Sequence, residues 1–138
     1  MFFPKKVKYR KWHTMRRNPA RVGIANRGIT VAFGSFGLKA MGQARIRSNQ
    51  IEAARKVLSR SIGKTGRLWI RIFPDMPYTQ KPAEVKLGKG KGDLAGYVAP
   101  VLAGRVLFEV DGTDEVTARE ALRKAGTKLP VKTKVVAR

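Results

Sequence analysis

The chain contains no cysteine. That excludes disulfides, thiolate nucleophiles and cysteine-based metal sites. It contains one histidine, His13. A lone imidazole in a basic stretch makes neither a metal cluster nor a proton relay, and no cofactor is expected. Acidic residues are scarce, nine against 30 Lys and Arg. Those nine form no catalytic constellation: Asp111, Asp114 and Glu115 cluster, but a turn and a helix start account for them. No segment reaches the roughly 18 apolar residues that a membrane span needs. The N-terminus starts apolar but turns at once to proline and lysine, so it does not read as a signal peptide. An intracellular, cytoplasmic location is expected.

What is present is positive charge. The net charge is +21 over 138 residues. Self-repulsion of that size needs a polyanionic partner to neutralise it, either nucleic acid or an anionic membrane surface. Residues 1–51 hold 12 of the cations and no acid. A hydrophobic fraction of 43% is enough for one core in a single domain.

Residues 1–27 show no sustained periodicity and contain Pro4, Asn18, Pro19, Gly23 and Asn26. They read as a basic extension, with a short strand near Val7 to Arg10. Residues 28–138 read as one folded domain. Gly28 to Gly34 alternates as a strand would, and Phe36 and Leu38 continue its apolar surface. A helix is expected from about Asn49, with Asn49 as cap and Glu52 three residues on. Ile51, Ala54, Leu58 and Ile62 form its apolar face, and Gly63 and Gly66 end it. Arg67 to Phe73 is the clearest strand, with Leu68, Ile70 and Ile72 on one face. Trp69, Arg71 and Phe73 lie on the other, so that face too is partly covered. Pro74, Asp75 and Pro77 then force a turn, and a loop follows. Strands are expected at Gly96–Val101 and Arg105–Val110. A helix capped by Thr113 spans about Asp114–Ala125 and is closed by Gly126, and a last strand spans Val131–Val136. The predicted fold is α+β: a two-layer sandwich of two helices on a mainly antiparallel or mixed sheet.

Three segments invite a functional reading. Gly63-Lys64-Thr65 imitates the end of a phosphate-binding loop, but position 58 is Leu where that pattern needs glycine, and a helix precedes rather than follows. The extension interleaves Phe2, Phe3, Tyr9 and Trp12 with cations. Such rings either stack on unpaired bases or pack onto the domain. In Gly88-Lys89-Gly90-Lys91-Gly92 the glycines let backbone approach another surface and the lysines reach phosphates. RNA-contacting candidates are Lys5, Lys6, Lys8, Arg10, Lys11, Trp12, Arg16, Arg17 and Arg21 in the extension, with Arg45, Arg55 and Arg71 in the body. In the loop they are Lys81, Lys86, Gly88, Lys89, Gly90, Lys91 and Gly92.

Several stretches together resemble one family. They are Pro4-Lys5-Lys6, Tyr9-Arg10-Lys11, Phe33-Gly34-Ser35-Phe36-Gly37-Leu38 and Gln50-Ile51-Glu52-Ala53-Ala54-Arg55. Trp69-Ile70-Arg71-Ile72-Phe73-Pro74-Asp75, the Gly/Lys run and Lys128-Leu129-Pro130 complete the set. In this order they resemble the bacterial large-subunit ribosomal protein sixteen, from residue 4 to about 136. The resemblance implies a non-enzymatic constituent of the ribosome, bacterial or organellar. It would bind large-subunit ribosomal RNA beside the aminoacyl-tRNA site, with tRNA and neighbouring ribosomal proteins as partners and no membrane. Residues 76–93 would form a loop directed toward the peptidyl transferase centre. Many relatives carry arginine and methionine where this chain has Lys86 and Leu87, so modification by an arginine-specific oxygenase is not expected here. A free RNA chaperone or assembly factor is the competing reading.

Overall fold

A computed structural model describes residues 2–14 and 18–138. Among them are seven strands, two α-helices and one 3-10 turn, Pro19–Arg21. In chain order the elements are β1 (Phe36–Ala40), β2 (Ala44–Arg47), α1 (Ser48–Ile62), β3 (Arg67–Ile70) and β4 (Met76–Gln80). There follow β5 (Asp93–Val101), β6 (Val106–Asp111), α2 (Glu115–Gly126) and β7 (Thr133–Ala137). The fold is α+β, and every strand pairing is antiparallel. The strands form two sheets rather than one, ordered β3-β6-β1-β7 and β2-β5-β4.

The core forms where the apolar faces meet. Ile51, Ala54, Leu58 and Ile62 of α1 are buried, as their spacing predicts. Ala118, Ala121, Leu122 and Ala125 of α2 are buried with them. Leu38 and Phe108 pair across β1 and β6 and join the same cluster. Ile72 is buried there too, whereas Leu68 and Ile70 are only partly buried against it.

Both helices begin differently from expectation. In α1 the Gln50 side chain accepts the Arg47 N–H at 2.9 Å. Glu52 is not free to cap, because it grips Arg55 one turn on through both carboxylate oxygens. In α2 the cap is Asp114, whose carboxylate accepts the Thr117 N–H at 3.0 Å. A charged acceptor suits the positive helix end better than the Thr113 hydroxyl. Gly126 lies inside α2, not beyond it. A Cβ there would fall 2.3 Å from Thr133 Oγ1, so this glycine lets α2 lie close against β7.

Segment 28–34 is not a strand. It runs across the face of the first sheet opposite α2. Gly37 in β1 and Trp69 in β3 both pair with Glu109 in β6, which places the three on that face. Val31 is buried above Gly37, where a Cβ would come within 2.8 Å of it. The backbone N–H groups of Ala32, Phe33 and Gly34 donate to the Glu109 carboxylate at 3.1, 2.6 and 2.9 Å. A side chain has taken the donors that a strand partner would need. Gly34 sits flat on β6, since a Cβ would meet the Val110 carbonyl oxygen at 2.6 Å. This strap explains why β6 is buried from Val106 to Val110 although helices cover only one side.

Two other expectations are corrected. No strand forms at Val7 to Arg10; the described extension meets no sheet edge there, and an isolated cationic strand has no ladder to join. The segment after Asp75 is not all loop. Met76–Gln80 pairs with Asp93–Val98 as a hairpin, so the loop spans residues 81–92. Pro77 is tolerated because β4 is an edge strand. Among the described residues no helix is long and apolar enough to cross a membrane.

Candidate nucleic-acid interface

The extension is tied down at its start. Phe2 packs against the core cluster. It also lines an open cleft of 590 Å³ with Ile70, Arg71, Ile72, Phe73 and Arg105. Beyond it the chain carries Lys5, Lys6, Lys8 and Arg10 exposed on a stretch with no regular structure. Of its aromatics, Phe3, Tyr9 and Trp12 stay exposed, at 59%, 62% and 43%. The Lys8 ammonium lies 5.5 Å from the Tyr9 ring centre. One ring therefore packs and three remain presented.

The loop continues the hairpin. Gly92 permits its closure, since a Cβ would lie 2.8 Å from the Gln80 carbonyl oxygen. At the tip Gly88, Lys89 and Gly90 have φ of 100°, 57° and 94°. Lys89 is the one non-glycine with positive φ among the described residues. The Lys81 ammonium donates to the Gly88 carbonyl at 2.5 Å and folds the tip back. Lys86 and Lys89 project into solvent, and Leu87 between them is fully exposed.

The structure brings these two segments together. Lys11 pairs with Asp93 at 3.6 Å, at the root of the loop. The Lys91 ammonium donates to the Trp12 carbonyl. Extension and loop thus form one cationic surface, although 79 residues separate Trp12 from Lys91.

Other sequence candidates are placed differently. Arg45 is exposed on β2, and Arg21 is exposed at the end of its 3-10 turn. Arg55 is engaged with Glu52, which that hydrogen bond holds below the ordinary carboxylate range. Arg71 is turned inward on Glu109. Arg16 and Arg17 lie outside the described residues. Glu109 has no exposure. Burial pushes its carboxyl up, but the three strap N–H groups and Arg71 outweigh that and hold it below the ordinary glutamate value.

Sequence reasoning missed the surface above this carboxylate. Phe33 stacks on Trp69 with ring centres 6.2 Å apart and planes 19° from parallel. The Arg71 guanidinium lies 5.1 Å from the Phe33 ring centre. The available signal was Trp69 and Arg71 standing two residues apart, on one side of the alternating run that starts in β3. Among the described residues no group of acids and histidine is arranged to hold a metal ion.

The model for ribosomal protein L16p/L10e matches residues 4–136. The large ribosomal subunit protein uL16 of Rhodopseudomonas palustris strain HaA2 is 54% identical over the whole of this chain and 98% of its own length. That of Thermosipho africanus is 54% identical over the whole chain and 94% of its own length. That of Afipia carboxidovorans is 52% identical over the whole chain and 98% of its own. With extension, core and hairpin all inside the match, this chain belongs to the ribosomal protein L16p/L10e family.

Proposed function

We propose that this protein is a structural constituent of the large ribosomal subunit, held there by large-subunit ribosomal RNA. The carrying observation is the pair of contacts, Lys11 to Asp93 and Lys91 to Trp12, that merges the extension and the hairpin loop into one cationic surface. In this reading residues 1–27 are the RNA-gripping extension and residues 28–138 the body. Exposed Lys5, Lys6, Lys8 and Arg10 hold phosphates, while Tyr9 and Trp12 offer faces to unpaired bases. The role is architectural and no side chain does chemistry.

The loop is the part that reaches a second RNA. Lys86 and Lys89 stand at its tip, clear of the domain, and approach tRNA at the aminoacyl site. The test is Lys86→Ala with Lys89→Ala in purified large subunits. Expected are normal incorporation and slower accommodation of aminoacyl-tRNA. Unchanged accommodation in fully assembled ribosomes refutes the role of the loop.

A further inference from the structure

The stacked surface above Glu109 has a form that stability does not require. Phe33 is 57% exposed, yet the backbone beneath it is fixed by a fully buried carboxylate. Desolvating a carboxylate is costly, and here it is compensated by three backbone donors and one guanidinium. Gly34 against Val110 and buried Val31 above Gly37 fix the strap on either side of Phe33. Such rigidity around an apolar side chain left in water makes a preorganised contact. Of the ring's two partners, Trp69 belongs to β3 and Arg71 follows just past its end, where its N–H donates to the Leu107 carbonyl of β6. With Trp69 and Arg71 against it, Phe33 still keeps 57% of its surface open to solvent.

From this geometry we infer that Phe33, backed by Trp69 and Arg71, is a stacking platform for one unpaired RNA base. The inference rests on the RNA-binding reading above and adds a site to it, away from the Gly/Lys loop. An aromatic face accepts any base, and a guanidinium in the same stack favours the electron-rich face of a nucleobase. Arg105 adds a second cation beside the platform, bonded to the Arg27 carbonyl at 3.1 Å and the Arg71 carbonyl at 3.4 Å. Glu109 carries its negative charge fully buried and paired, and Asp111 accepts from Ser35 at 2.7 Å. The +21 charge of the chain selects a polyanion over a protein surface as occupant.

The experiment titrates wild type, Phe33→Leu and Phe33→Tyr against protein-free large-subunit ribosomal RNA at several salt concentrations. Urea denaturation of each protein runs alongside. Phe33→Leu is expected to bind about 5- to 150-fold more weakly at every salt concentration. Its log–log salt slope should equal that of wild type, because no phosphate contact is lost. Phe33→Tyr keeps the face and should bind within about threefold of wild type. All three should share one urea midpoint. Equal binding by Phe33→Leu overturns the platform while leaving RNA binding intact. A deficit that tyrosine does not rescue, or that follows a fall in stability, also overturns it. Normal binding to naked RNA with defective incorporation into subunits assigns the surface to a protein neighbour instead. Absence of salt-dependent binding by wild type overturns both readings.

Discussion

Glu109 is the residue on which most of the first sheet's outer face depends. It is fully buried and accepts from three consecutive backbone N–H groups and from Arg71. Replacing it with glutamine keeps the volume but removes the charge and swaps one acceptor for a donor. Arg71 is then left without its counter-charge. Breaking a buried pair in this way costs about 3–5 kcal/mol, so Glu109→Gln should lower the urea midpoint at pH 7. The pH dependence follows from the sign of the shift. The carboxyl is held below its ordinary value in the folded chain. Its stabilisation is therefore present above the unfolded value and is lost as pH falls through the depressed folded value. The gap in stability between wild type and Glu109→Gln should narrow from pH 7 toward pH 3. A constant gap contradicts the assigned pairing. Nothing in the sequence singles out Glu109. It stands in an apolar strand as one of nine acids, and its partners lie 38 to 77 residues away.

At the level of elements, legibility followed the locality of the forces. Both helices were readable because their buried faces recur every three to four residues, as Ile51, Ala54, Leu58 and Ile62 do. β6 was readable because both its faces are covered, which gives an apolar run from Val106 to Val110 broken only by Glu109. β2 and β4 were not. β2 has four residues, two of them exposed arginines, and gains its place only by pairing with β5. β4 contains Pro77 and follows Pro74-Asp75, so local rules favour a turn; its order comes from the hairpin partner. Segment 28–34 alternates like a strand but spends its donors on Glu109. The basic segments of the candidate site were legible from composition. Their joining through Lys11, Asp93, Lys91 and Trp12, and the inward turn of Arg71, were not, because each depends on the tertiary fold. The hairpin supplies its own test. Gly92→Ala pushes a Cβ against the Gln80 carbonyl and must open the root of the loop. Amide exchange across residues 81–92 should quicken, while the unfolding free energy changes by no more than about 0.5 kcal/mol, as for changes away from the core. Unaltered exchange in the loop means that the close approach at Gly92 does not hold the root.

Over the whole molecule, charge and architecture point the same way. The apolar core is built from both helices and both sheets and excludes the extension beyond Phe2. The extension and the loop, far apart in sequence, share one side through their contacts at Asp93 and Trp12. A body that folds by burial therefore presents two unburied cationic segments together, a form suited to wedging between RNA elements. A free assembly factor with the same charge binds and leaves. A built-in constituent stays, because many phosphate contacts and base stacks must break at once. The measurement that separates these most directly is sedimentation of cell extract carrying the tagged full chain, at physiological salt and after a high-salt wash. The account predicts that the protein co-sediments with large subunits in both, at one copy per subunit. Release into the light fractions by the wash, or substoichiometric occupancy of mature subunits, contradicts it.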